Sequence, residues 1–194
     1  MQHTNDMITF FDDRAANWNN HPEEYGRREQ ILSMSAFPAG SVIADIGCGR
    51  GVMLEHLLKT NPKEIIAIDI SGEMLCYAKK TFDNPCITYR HEDFLQAELP
   101  VLDAAIIYNA YPHFLDKQGF AENAAKVIKK GGFFVIAHGC SKEIINGCHS
   151  EKKVSPLSAT LEEAEKEAAK FKPFFVMEAM VDNDELYFIK LLRV

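Results

Sequence analysis

Short, almost wholly apolar runs alternate along this chain with segments of helical spacing, and that alternation limits the fold more than any other feature. Residues 41–46 (SVIADI) form an apolar strand, broken by Gly47-Cys48-Gly49-Arg50-Gly51. Residues 52–58 follow with helical spacing and stop at Asn61-Pro62. Residues 65–70 are a second apolar strand. Ser71 then caps a helix through Phe82, with Glu73 in its first turn. Residues 86–91, 102–108 and 133–138 supply three more strands. A helix over 117–130 precedes the last of them and ends at Gly131-Gly132. Near-continuous apolar strands between helices mean a parallel sheet covered on both faces, and right-handed crossovers wind it doubly. The C-terminal part differs. A charged helix over 161–171 leads to strands at 174–181 and 185–194, joined by Asp182-Asn183-Asp184. That connection is too short for a parallel crossover, so these two strands are antiparallel. The expected fold class is α/β, a doubly wound seven-stranded sheet, mostly parallel, with a C-terminal antiparallel hairpin.

Length and composition narrow the function. The chain has 194 residues, 47% of them apolar and 25% charged, which fits a single domain over 1–194. Net charge is -7 and no Lys/Arg stripe is present, so a nucleic-acid partner is not expected. The first residues, MQHTNDMITFFDD, lack the pattern of a signal peptide, and no apolar run is long enough to span a bilayer. Five cysteines without regular spacing fit a reducing compartment, and the expected location is cytoplasmic. Residues 1–35 read as a helical cap, two helices split near Asn19-Asn20-His21-Pro22. Residues 139–160 form a long polar stretch with little pattern, expected to be an active-site loop. Sequence alone leaves the oligomeric state open.

The glycine loop sits where the first strand turns into a helix, a place where backbone N–H groups face a ligand. A dinucleotide loop needs G-x-G-x-x-G, but the sixth position counted from Gly47 is Val52. A nicotinamide oxidoreductase is therefore disfavoured, and the lysine of a nucleoside-triphosphate loop is missing.

Asp45-x-Gly47-x-Gly49-x-Gly51 resembles motif I of the class I S-adenosylmethionine (SAM) dependent methyltransferases. Asp69 closes the second strand where that family places the acid that binds the ribose hydroxyls. Glu92-Asp93-Phe94 follows the third strand, where the family's Asp meets the adenine amino group. The segment from Tyr108 and Asn109 to Phe114 occupies the motif IV position. Residues 11–18 (FDDRAANW) are similar to the N-terminal segment of the ubiquinone/menaquinone-type small-molecule branch. The resemblance covers about residues 36–194. It implies a Rossmann-like methyltransferase fold with an N-terminal helical cap, SAM as cofactor and S-adenosylhomocysteine as product.

The resemblance also implies roles. Asp45, Gly47, Cys48, Gly49, Gly51, Asp69, Ile70, Met74, Asp93, Phe94 and Asn109 would bind the cofactor. Asp45 could equally be structural, and Ile70, Met74 and Phe94 could be core. Among residues that could act on the acceptor, His113 follows the fourth strand at the carboxyl edge, where ligands bind in open α/β sheets, and an imidazole suits proton abstraction near neutral pH. His138 ends the fifth strand and His149 lies in the long polar stretch. The three are expected to converge on the substrate. A zinc reading of His138, Cys140, Cys148 and His149 lacks a standard ligand spacing, and no metal is expected. Motif IV reads Asn109-Ala110-Tyr111-Pro112 instead of the Asp/Asn-Pro-Pro-aromatic pattern, which disfavours DNA or glutamine N-methylation. A small-molecule methyl acceptor is expected. The alternative is a non-catalytic SAM-binding protein of the same fold, acting as sensor or partner.

Overall fold

A computed structural model describes residues 2–151 and 157–194. Among them lies one seven-stranded sheet. Its strands are β1 (Val42–Ile46), β2 (Glu64–Asp69), β3 (Ile87–His91), β4 (Leu102–Tyr108), β5 (Ile128–His138), β6 (Phe175–Asp182) and β7 (Tyr187–Arg193). The spatial order is β3-β2-β1-β4-β5-β7-β6. Strands β1 to β5 pair in parallel, while β7 runs antiparallel to both β5 and β6. The order reverses at β1 and β4, and the crevice above their carboxyl ends is the place where such sheets bind ligands.

Helices cover both faces: α1 (Gln2–Asp12), α2 (Tyr25–Ser35), α3 (Leu54–Leu58), α4 (Gly72–Thr81), α5 (Lys117–Val127), α6 (Lys142–Glu151) and α7 (Ala164–Ala169). The central strands are buried on both sides. Ala44, Ile46 and Ile107 face one apolar cluster with Phe120, Phe134 and Phe171. Ile43, Ile65 and Ile106 face a second cluster with Leu54 and Leu57. Each such Ile contributes about 1.5–3 kcal/mol by leaving water, which fixes the strand register.

The polar stretch over 139–160 is not simply a loop, because it carries α6. Ser141 starts that helix: its Oγ accepts the Ile144 amide at 3.3 Å and its carbonyl accepts the Ile145 amide at 3.1 Å. The expected helix over 161–171 shortens to α7. Asn146 takes both backbone groups of Leu161, accepting its N–H at 2.8 Å and donating to its carbonyl at 2.9 Å, so Leu161 does not enter the helix. Likewise α5 stops at Val127 rather than 130, and β5 begins at Ile128, which pairs with Leu102. The N-terminal cap holds α1 and α2 with two 3-10 turns between them, at Ala15–Asn17 and Pro22–Glu24.

Candidate active site

The glycine loop leaves β1 at the switch point. The Gly47 and Cys48 amides donate to the Ile68 carbonyl at 2.8 and 3.1 Å, which ties the loop to the end of β2. Gly47 has φ +67°, and a Cβ there would lie 2.8 Å from the Ala110 Cβ, so this position takes only glycine. Gly49 has φ +54°, but a Cβ there would meet nothing within 4 Å. The loop therefore packs against the segment that follows β4 on one side and leaves open space at its tip.

Asp69 holds this arrangement. Its Oδ2 accepts the Gly49 amide at 2.7 Å and its Oδ1 accepts the Ser71 amide at 2.8 Å. Burial raises its pKa, and these two amides partly offset the rise. Asp45 lies 1% exposed, and its Oδ2 has no hydrogen-bond partner. Burial, reinforced by the Asp69 carboxylate, pushes Asp45 up to about 8. Cys48 is buried, and its thiol is pushed well up by burial and then by the same two carboxylates, which makes it an unreactive apolar contact.

Along the β2–β3 edge, Ser71 caps α4: its Oγ accepts the Met74 amide at 3.1 Å. The Ile70 carbonyl accepts His91 Nε2–H at 3.0 Å. Asp93 Oδ1 accepts the Leu95 amide at 3.0 Å. Met74 is buried, and Phe94 turns into the core, with its ring 4.9 Å from Phe120 and 6.4 Å from Phe114.

The N-terminal cap reaches this edge. Asp12 Oδ1 accepts the Ser71 hydroxyl at 2.5 Å and the Glu73 amide at 3.2 Å. Arg50, from the glycine loop, donates to the carbonyls of Ala15 at 3.2 Å and Trp18 at 3.3 Å and stacks on Tyr77 at 4.4 Å. Phe11 packs edge-on against Trp18 and against His113, with ring centroids 5.6 and 5.1 Å apart.

Beyond β4, Asn109 adopts φ +54°. Its side chain accepts the Gly139 amide at 3.0 Å and donates to Glu24 Oε2 at 3.3 Å. The same Glu24 oxygen accepts the Tyr108 hydroxyl at 2.5 Å. His113 Nδ1 lies 3.0 Å from the Leu157 carbonyl. A carbonyl only accepts, so Nδ1 carries the proton and Nε2 keeps its lone pair. Burial pulls His113 down to about 4.

The structure brings the three histidines of the sequence reading into one neighbourhood. The His113 and His149 rings lie 5.1 Å apart. His138 is fully buried and pulled down to about 3, first by burial and then by His149, Lys117 and His113. Sequence reasoning passed over Lys117, Glu24, Asp12 and Arg50. Lys117 read only as the start of a helix and Glu24 was not singled out, because their partners are distant in the chain. Among the described residues no group of three or more His, Cys, Asp or Glu side chains has a geometry that could hold a metal ion. No described helix is long and apolar enough to cross a membrane.

This set of residues fits an adenosyl ligand. Open space at Gly49, a strand-end carboxylate at Asp69 with acceptor capacity beyond its two amides, and a buried unpaired oxygen on Asp45 lie together at the switch point.

Residues 43–132 match the model of a family described as a methyltransferase domain. An uncharacterized methyltransferase of Mycobacterium tuberculosis is 28% identical over 107 residues, 54% of each chain, so this chain spans about half the length of the first curated relatives it matches. N-demethylindolmycin N-methyltransferase of Streptomyces griseus is 39% identical over 79 residues, 40% of this chain and 32% of that one. Other relatives are named ribosomal RNA small subunit methyltransferase A. The N-methyltransferase NodS of Bradyrhizobium japonicum, solved with S-adenosylhomocysteine, superposes with a TM-score of 0.76 at 16% identity, covering 96% of this chain and 97% of that one. The fold is the Rossmann-like methyltransferase fold. The matched family is described as a methyltransferase domain, and the relatives are themselves named methyltransferases.

Proposed function

We propose that this chain is a SAM-dependent methyltransferase that modifies a small-molecule acceptor. The observation that carries this reading is the bond between Asp69 and the Gly49 amide, which fixes a strand-end carboxylate beside a glycine loop with open space at its tip. When bound, SAM supplies a methyl group already activated on a sulfonium.

The chain's own work is then binding and orientation. Asp69 accepts the two ribose hydroxyls, since a carboxylate strengthens both bonds by its charge. Gly47, Cys48, Gly49 and Gly51 shape the cradle, and Asp45 stands behind it with an oxygen free for the amino acid end or a bridging water. Ile70 and Met74 wall the adenine, Asp93 accepts its amino group, and Phe94 holds this edge from the core. Asn109 fixes the turn after β4 by gripping both Gly139 and Glu24. The cap, tied down by Asp12 and Arg50, excludes water from the reacting centre.

For an acceptor that must lose a proton, His113 is the proton acceptor. The bond to Leu157 leaves Nε2 with its lone pair toward the acceptor's proton, while burial opposes the imidazolium, so the transfer needs a negative group alongside to offset that cost. His138 and His149 complete the acceptor wall. The net charge of -7 and the close packing of Phe11, His113 and His149 favour a small acceptor over a nucleic acid. The test offers the protein SAM with either a small-metabolite fraction or an RNA fraction and measures S-adenosylhomocysteine. The small-metabolite fraction should give turnover that His113→Gln lowers. Turnover with RNA alone would overturn the acceptor class, and binding without turnover in both would leave a non-catalytic SAM-binding protein.

A further inference from the structure

Four basic side chains from four separate elements lie beyond the carboxyl ends of β4 and β5, and the His113 and His149 rings are 5.1 Å apart. His138 ends β5, His113 lies on the 3-10 turn Tyr111–His113, Lys117 opens α5 and His149 lies on α6. The His138 ring is fully buried against Tyr187, with centroids 5.8 Å apart, and neither its Nδ1 nor its Nε2 has a hydrogen-bond partner. Lys117 Nζ donates to the Tyr111 carbonyl at 2.6 Å and sits 3.5 Å above the Tyr111 ring. Glu167, the carboxylate that acts on Lys117, is already committed: it accepts from Tyr111 Oη at 3.1 Å, Lys170 Nζ at 3.0 Å and the Glu162 amide at 3.1 Å.

The cluster is thus basic and buried, and its members oppose one another's protonation. Burial pulls Lys117 down to about 7, and Lys117, His113 and His149 all oppose protonation of His138. An imidazole buried with neither nitrogen paired forgoes the hydrogen bonds that water gives it in the unfolded chain. A negative oxygen group relieves both problems, because it accepts from Lys117 and from a ring N–H while stabilising their protonated forms. A neutral polar group relieves only the first.

We propose that Lys117, His113, His138 and His149 form the acceptor-recognition site and select a small molecule bearing an oxyanion, a carboxylate or a phosphate. This rests on the methyltransferase reading and names its acceptor class.

The test is calorimetric titration of benzoate, phenyl phosphate and neutral benzamide into the protein saturated with S-adenosylhomocysteine. At least one anion should bind about tenfold more tightly than benzamide. Lys117→Met and His138→Leu should each remove that preference, Lys117→Arg should keep it, and S-adenosylhomocysteine affinity should be unchanged in all three. In wild type, anion binding at neutral pH should take up protons, read by repeating the titration in buffers of different ionisation enthalpy. That measurement needs no variant and so survives a misfolded one. Equal affinity for benzamide and both anions, no anion binding up to about 10 mM, or binding without proton uptake would each overturn the proposal. Cofactor affinity is measured first on the same sample. Failure there would sink the methyltransferase reading, while the anion titration on the free protein would still test the cluster.

Discussion

Asp12 Oδ1 accepts the Ser71 hydroxyl at 2.5 Å, and that same hydroxyl accepts the Met74 amide at 3.1 Å. One oxygen therefore caps α4 and fastens the N-terminal helix beside the carboxylate of Asp69. The carboxylate of Asp12 also sits at the positive end of α4, where a negative charge is favoured.

Asp12→Ala should loosen the cap without unfolding the sheet. We expect a loss of about 1 kcal/mol in stability, faster proteolysis ahead of residue 20, and several-fold weaker S-adenosylhomocysteine binding. Unchanged proteolysis and affinity would show that the latch is only a helix cap.

Gly47 and Gly49 separate packing from ligand contact. Gly47→Ala meets the Ala110 Cβ and also suffers the strain of positive φ, so it should cost well over 2 kcal/mol. Gly49→Ala suffers only the strain, about 1–2 kcal/mol, because nothing lies within 4 Å. Its larger effect should be on the cofactor, with affinity falling about tenfold or more. Denaturant unfolding and cofactor titration of the pair check this. A Gly49→Ala protein that binds as wild type would remove the ligand from the loop tip.

Asp45 and the buried histidines give stability opposite pH slopes. The Asp45 pKa is raised to about 8, so the folded state holds its proton more tightly than the unfolded one. Its contribution is full below the ordinary carboxylate pKa and fades as pH rises through about 8. Asp45→Asn should therefore gain most in urea midpoint, relative to wild type, at alkaline pH. An equal shift at pH 5 and pH 9 would contradict the buried, protonated carboxyl.

His138 and His113 act in the other direction. Their pKa values are lowered to about 3 and 4, so the unfolded chain binds protons that the folded one refuses. Stability should fall as pH drops below the ordinary imidazole value of about 6.5 toward 4. His138→Leu should flatten that fall and stabilise the protein at pH 5, read from urea midpoints across pH. A variant with the wild-type slope would place the His138 ring in contact with solvent.

The sheet was legible because its strands are nearly pure apolar runs and the glycine loop breaks the first of them at a fixed point. Ser71 could be read as a cap because capping is local chemistry. Helix α6 was missed although Ser141 is a local cap of the same kind, because Gly147 interrupts its interior and its apolar positions, Ile144, Ile145 and Cys148, are few. The ends of α5 and α7 were missed for a related reason: Asn146 claims the backbone of Leu161 and Leu102 claims Ile128, and neither pairing leaves a local trace. In the site, carboxylates and glycines at strand ends announced themselves by position. Lys117 and Glu24 did not, because burial of a lone charge is decided by elements far away in the chain.

The central claim is that Asp69 and the glycine loop form a SAM site. The most direct measurement is calorimetric titration of S-adenosylhomocysteine and SAM into wild type and Asp69→Ala, with NADH as control. The account predicts micromolar binding of both to wild type, at least about a hundredfold weakening in a folded Asp69→Ala protein, and no binding of NADH. A folded wild type that binds neither ligand, or an Asp69→Ala protein that binds them as well as wild type, would contradict it.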